Sequence, residues 1–381
     1  MSIQEIISRQ QKGSRVRLRL INRLSEVSQK TFRLFHSDSL KVFYPYRNLL
    51  HTHPFFLRYY NYPPLNYSNL FNANLRHWVS YVPRTLEHLP FIIEPQDHPL
   101  SVTGQLEPID VVSRIEVAAE VYMNSNCKKI LVESEGQLRL FKNYFPESVI
   151  AKTEIVRLGT MAKSANLKKR LCHGDEIIFL CLASDFQRKA VDLLIQAWHE
   201  SAAKLRGKLI LACPNVPKEM WDLLKKENVE LILKAPLTEQ EKYELHAAAH
   251  VVIAPLHVDG GGNVIEAFEF GLPVITMRSQ RSYIRDGNGW EVDVPFYFYD
   301  EGYGKEWPTF ARFWELVDDA KKNHAFDITI QEFVNILDEI AKSPEMLLVM
   351  GNASYELAKG EFSLERRNAA LNKIYSEALQ Q

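Results

Sequence analysis

The sequence predicts an α/β protein built on parallel sheets covered on both faces. Apolar runs and amphipathic runs alternate from residue 176 to 277. The apolar runs are apolar throughout, without the polar-every-second-residue pattern of a sheet that has one wet face, so their strands are expected to be buried on both sides. At 381 residues the chain is also too long for one ordinary core and suggests two domains of roughly 150 to 200 residues each.

The elements follow in chain order. Residues 1–35 carry eight Lys/Arg interleaved with Ile, Leu and Val, a basic amphipathic segment broken at Gly13-Ser14. Such a segment suits either an anionic membrane surface or a helical extension packed on its own domain. Residues 43–81 hold twelve aromatics in 39 positions, a composition that fits a ligand-facing wall or an irregular core. Pro63-Pro64 and the Asn/Ser content there predict loops and short helices rather than regular strands. Short strands are expected at 90–95 and 129–134, with an alternating one at 152–158 and a helix at 135–145. Then come strand 176–183, helix 188–205, strand 208–213, helix 217–228, strand 229–235, helix 238–249, strand 250–256, a short helix after three glycines, and strand 273–277.

Composition excludes several function classes. A formal net charge of −1 argues against a general nucleic-acid binder, which needs a net basic surface. Cys127, Cys172, Cys181 and Cys213 have no metal-type spacing, and the sequence shows neither a signal-peptide h-region nor a run of about 18 apolar residues. These features lead to the expectation of a cytoplasmic protein with reduced thiols.

In a parallel sheet, ligands bind beyond the carboxyl ends of the strands, which singles out the loops at 184–190, 236–238 and 257–263. The last reads His257-Val258-Asp259-Gly260-Gly261-Gly262-Asn263 and leads into a helix ended by Gly271 and Pro273. Glycines before a helix let a diphosphate approach the backbone N–H groups and the positive end of the dipole, with Asn263 expected as the N-cap. The same glycines also suit a plain strand-to-helix turn. Arg188-Lys189, at the end of another strand, supplies cations that could meet a diphosphate from a second side. Glu266 is placed on the first turn as an acceptor for sugar hydroxyls, whereas Glu269 is read as a solvated or helix-pairing charge without a role. No GxGxxG follows a first strand, which sets a dinucleotide-dependent dehydrogenase aside.

The succession 188-RKAVDLLIQAW-198, 208-KLILAC-213, 238-TEQEKYELHAAAHVVIAPL-256 and 264-VIEAFEFGLPVIT-276 resembles the donor-binding domain of the retaining glycosyltransferases of family four, which have the GT-B fold. The resemblance runs from about residue 174 to the end, including 353–379. It implies two Rossmann-like domains facing a cleft: 1–172, an atypical acceptor-side domain, and 173–345, the donor domain. Residues 346–381 are implied to be helices returning to the first domain. Lys189 and Arg188 match the cations on the donor phosphates, and Glu266 the second glutamate of the paired-glutamate motif, which contacts ribose or sugar. Asp259, Gly260, Gly261, Gly262, Asn263 and Val264 fall on the backbone beside the diphosphate, and Lys234 to Pro236 on the segment along the base. His98, after 91-FIIEPQDH-98, resembles the active-site histidine, with Asp97 beside it, and Ser134 resembles the serine after the next strand.

This chain departs from the family's pattern at several points. The first glutamate of the pair is Val258, with Asp259 its nearest carboxylate. The family's arginine is Ala183, and the glycine after Arg-Lys is Ala190. The resemblance implies transfer from a nucleotide-diphosphate sugar to a glycan or lipid-linked glycan, with retention and with no metal or other cofactor. The vacancy at Val258 keeps a second reading open, a non-catalytic nucleotide-sugar-binding or assembly protein. Residues 1–35 would provide any peripheral contact with the inner membrane face.

Overall fold

The computed structural model describes residues 42–43, 75–79, 90–95, 98–103, 111–162, 175–234, 236–258, 261–279, 281–303, 308 and 310–380. The basic segment 1–35, Cys172, and the candidate residues Asp97, Asp259 and Gly260 lie outside them. Among the described residues no helix is long and apolar enough to cross a membrane.

Two parallel sheets organise the chain. The first joins β1 (Val42–Phe43), β2 (Leu75–Val79), β3 (Phe91–Glu94), β4 (Cys127–Val132) and β5 (Thr153–Ile155) in that order. β1 and β2 fall inside the aromatic stretch where loops and short helices were expected. Leu75, His77 and Trp78 are buried there, and pairing with β3 outweighs the local turn chemistry. The helices of this half are α1 (Val111–Met123), α2 (Glu135–Tyr144) and α3 (Glu147–Ile150). Ser134 caps α2, its hydroxyl accepting from Gln137 N at 3.2 Å.

The second sheet contains β6 (Ile177–Leu182), β7 (Gly207–Ala212), β8 (Val229–Ile232), β9 (Val251–Ala254), β10 (Val274–Met277) and β11 (Gly289–Val292). Their spatial order is β11-β10-β9-β6-β7-β8, the doubly wound arrangement in which the chain reverses direction between β6 and β9. Helices α4 (Val191–Glu200), α5 (Trp221–Lys226), α6 (Glu239–Ala248), α7 (Gly262–Glu269), α8 (Phe310–Lys322) and α9 (Asp327–Lys342) accompany it. Along β6, Phe179 and Cys181 face one core with Trp198 and Phe333, while Leu180 and Leu182 face another with Phe268 and Phe362. Both faces are dry, and this is why the strand is apolar at every position.

The last two helices, α10 (Met346–Lys359) and α11 (Leu364–Gln380), were expected to return together to the first domain. Only α11 does so. α10 packs on the second domain so closely that a Cβ at Gly351 would stand 2.4 Å from Gly271 O, and Ser354 Oγ donates to Asn288 O. α11 instead covers the first sheet, where Leu371, Ile374 and Tyr375 share a core with Leu75, Ile92 and Leu131. Arg367 of α11 donates from Nη2 to both carboxylate oxygens of Glu94, at 2.9 and 2.8 Å, with both side chains buried.

Candidate functional site: the crevice at the ends of β6 and β9

The order of the strands reverses between β6 and β9, the place where doubly wound sheets form a crevice, and the two expected loops meet at their carboxyl ends. After β6, Asp185 Oδ1 accepts from Arg188 N at 2.7 Å and shapes the turn. Ala190 then enters α4 with φ 46°, a left-handed conformation that glycine would adopt with less strain. The loop after β9 is laced to this turn, because His257 N and Val258 N both donate to Arg188 O, at 3.2 and 3.4 Å. A second stitch runs from the Asn263 side-chain amide to Leu182 O, the last carbonyl of β6.

The expected N-cap is corrected. α7 starts two residues earlier, with Gly261 as its cap, so Asn263 lies within the first turn and Glu266 on the second. The described glycines have different reasons for being glycine. A Cβ on Gly261 would stand 2.0 Å from Tyr283 Cε2, whereas one on Gly262 would meet nothing within 4 Å. Gly261 is therefore required by packing, and Gly262 leaves backbone exposed to the crevice. Val264 is buried and anchors the helix to the sheet.

The cations divide between two environments. Arg188 is exposed and Lys189 is buried beneath the turn. Lys234 is exposed and pairs at 2.6 Å with Glu241, whose carboxyl is pulled down to about 2 by that lysine and by the Thr238 hydrogen bonds of the α6 capping box. Pro236 is exposed beside them.

Glu266 keeps 12% of its side chain exposed and sits 3.7 Å from Lys242 Nζ of α6. Glu269 was expected to be a solvated or helix-pairing charge; it is buried and accepts a hydrogen bond from Thr160 of the linker between the sheets. One turn of helix moves a carboxylate from the rim of the crevice to the domain junction. Val258, at the vacant glutamate position, is 3% exposed and belongs to the core.

On the facing domain, His98 is not an open loop residue. It is 2% exposed, with its ring stacked on Tyr299 of the second domain and edge-on to Tyr144. Burial, helped by the charge of Arg114, holds its pKa well below the usual range, so the imidazole is neutral. Nδ1 accepts from Leu100 N at 3.2 Å, which places the proton on Nε2. Ser134 is used as a helix cap. Its neighbour Glu133 reaches across the seam to Arg281 at 3.1 Å, and Arg281 in turn donates to the Tyr283 hydroxyl whose ring confines Gly261.

The sequence reasoning missed Lys242, Glu133, Arg281 and Tyr283. Only Lys242 left a signal. It occupies an inward position of the stripe Lys242, Leu245, His246, Ala249, where helical periodicity calls for an apolar residue. The other three gain meaning only across the seam.

The described cysteines Cys127, Cys181 and Cys213 are free and buried, and burial pushes the Cys127 thiol up to about 12, which makes it inert.

Residues 175–295 match the family model of the glycosyl transferases group 1. Among solved structures, Anabaena HepE in complex with UDP-glucose is similar with a TM-score of 0.53 at 13% identity, over 80% of this chain and 79% of that one. WaaG, a glycosyltransferase involved in lipopolysaccharide biosynthesis, gives 0.53 at 15% identity over 81% and 80%. A glycosyltransferase from Rickettsia africae gives 0.53 at 13% over 82% and 78%. At these identities the likeness is one of fold, and the fold is GT-B: two Rossmann-like sheets with α11 crossing back. No curated protein sequence matches the chain.

Proposed function

We propose that the protein is a glycosyltransferase that moves a sugar from a nucleoside diphosphate sugar to a glycan or lipid-linked glycan acceptor, with retention and without a metal ion. The lacing of the Arg188-Lys189 turn to the glycine loop carries this reading. It brings the backbone of the Arg188-Lys189 turn against the loop that leads into the N-terminus of α7, which supports a reading in which both serve one diphosphate. In the reaction the bond from the anomeric carbon to the β-phosphate oxygen breaks. Charge then grows on the leaving diphosphate, and Arg188, Lys189 and the amides beyond Gly261 stabilise it. The acceptor oxygen bonds to the anomeric carbon from the face the nucleotide leaves, and its proton passes to the departing phosphate. Glu266 holds hydroxyls of the donor at the rim of the crevice. His98, neutral and with its proton on Nε2, and Asp97 serve the sugar from the facing domain; His98 reaches it only where the Tyr299 ring gives way.

A panel of nucleotide sugars, beginning with UDP-glucose, the ligand of HepE, tests the proposal by measuring both binding and slow donor hydrolysis. Arg188→Ala, an exposed change that spares the core, is expected to weaken nucleoside diphosphate binding by about tenfold, the order of one charge-assisted contact. Binding with no turnover of any donor, unaltered by Glu266→Ala, would instead favour the non-catalytic reading that the vacancy at Val258 raises.

A further inference from the structure

We propose that Asn215, in the loop after β7, is a positioning residue that acts through Asp185 to hold the Arg188-Lys189 turn in the shape that receives the donor's diphosphate. The inference rests on the assignment of that turn to the diphosphate. The loop after β7 was not among those singled out in the sequence, yet its side chain reaches the turn directly. Asn215 Oδ1 accepts from Phe186 N at 2.9 Å, and Asn215 Nδ2 donates to Asp185 Oδ2 at 3.0 Å. The other oxygen of Asp185 accepts from Arg188 N at 2.7 Å, and Arg188 O accepts from His257 N and Val258 N at 3.2 and 3.4 Å. The backbone of Arg188 is thus tied on its amide side to Asn215, through Asp185, and on its carbonyl side to the glycine loop. Loops from the ends of β6, β7 and β9 converge on this one residue.

Two features mark the amide as a brace rather than a chance surface contact. The turn it holds is strained, because Ala190 at its end has φ 46°, and an L residue stays in that region only where its neighbours over-determine it. Val191 N donates to Phe186 O at 3.1 Å, so fixing Phe186 also fixes the entry into α4. The amide itself can face only one way. Cys213 Sγ lies 3.4 Å from Asn215 Oδ1 as a second donor, whereas Nδ2 faces a carboxylate, and turning the amide over would set oxygen against oxygen and nitrogen against two donors. Both ends of the brace rest on the sheet: Cys213 N donates to Ile232 O at 3.0 Å, and Ala183 N to Ala212 O at 2.9 Å. Asn215 and Arg188 are both exposed, so loss of the brace frees the turn without opening the core beneath it.

The experiment compares UDP, GDP and ADP with uridine, guanosine and adenosine by titration calorimetry on the full chain, on Asn215→Ala, on Asn215→Asp, and on the exchange of Asp185→Asn with Asn215→Asp. Thermal unfolding of each variant confirms that it is folded. Asn215→Ala is expected to weaken the diphosphate that binds by about threefold to tenfold, the order of a net hydrogen bond, while moving the affinity of its nucleoside by less than about twofold. General damage to the domain would lower both. Asn215→Asp still accepts from Phe186 N but sets one carboxylate against another, and should weaken the diphosphate further than Asn215→Ala does. The exchange places the amide at 185 and the carboxylate at 215, keeps every bond of the brace and the net charge, and should return the affinity to within about twofold of the parent. Unchanged diphosphate affinity in Asn215→Ala, an equal loss for diphosphate and nucleoside, or an exchange no better than Asn215→Asp would overturn the inference alone. If Arg188→Ala leaves diphosphate affinity intact, the assignment of the turn falls and the inference with it. Failure of the parent to bind any of the three diphosphates would overturn the functional reading itself.

Discussion

The two clusters of buried charge, one at the crossover of α11 and one at the rim of the crevice, are built from the same residue types and do different work. At the crossover Arg367 and Glu94 are matched one to one and fully enclosed. Arg367 also donates to Val156 O and Arg157 O, at 3.2 and 2.8 Å, and His77 lies between Glu94 and Tyr375. At the rim Lys242 faces two carboxylates, Glu239 and Glu266, which keep 20% and 12% of their side chains exposed. An enclosed ion pair acts as a clamp between segments, whereas carboxylates that stay in contact with water hold their lysine without being sealed in.

Three measurements can break or sharpen that contrast. The largest effect is expected at the clamp. Arg367→Met strands Glu94 in the dry interior and should cost about 3 to 5 kcal/mol in denaturant unfolding, while Glu94→Leu combined with Arg367→Met should recover most of the loss. Equal damage from the double variant would mean that the carbonyl contacts to Val156 and Arg157, not the ion pair, hold α11.

Acid separates the regions next. His257, behind the glycine loop in a cage of Phe313, Trp314 and Phe326, is pushed down to about 4 by burial. Burial also lowers the pKa of His77 at the clamp. In both cases the unfolded chain takes up the proton first, so stability is complete above pH 6.5 and falls as the pH drops below it. For His257 the loss ends near pH 4 and amounts to about 3 kcal/mol, at 1.36 kcal/mol for each unit. His257→Phe should flatten that part of the pH profile of unfolding, and an unchanged profile would show that the cage opens to water well before the protein unfolds.

The smallest of the three concerns the rim. Gly261→Ala drives a methyl into the Tyr283 ring and should cost about 1 to 3 kcal/mol, expressed as weaker nucleotide binding rather than lower stability at the crossover. Tyr283→Leu in the same background should recover part of it. If Gly261→Ala binds as well as the parent, the Tyr283 ring is not what fixes the loop.

Much of the second domain was legible in the sequence. Strands β6 to β10 and helices α4, α6 and α7 lie where the apolar and amphipathic runs placed them, because local periodicity records which sides of an element are dry. The Arg188-Lys189 turn and the glycine loop were found for the same reason: loops at the carboxyl ends of parallel strands are few. β11, α8 and α9 were not anticipated. The first domain was less legible, and β2 was missed because its burial depends on pairing with β3 rather than on its own composition.

By itself the sequence determined the α/β class, the double burial of the second sheet and the loops at the carboxyl ends of its strands. Those properties are written in contiguous residues. Tertiary structure alone decided that Glu266 stands at the rim while Glu269 bonds Thr160, 109 positions away, and that Arg367 meets Glu94 across 273 positions. It also decided that His98 lies under Tyr299 and that Lys242 stands behind Glu266. A charged residue looks the same in sequence whether it is solvated, clamped or poised. Which of these it becomes depends on the charges and cavities that distant segments bring to it.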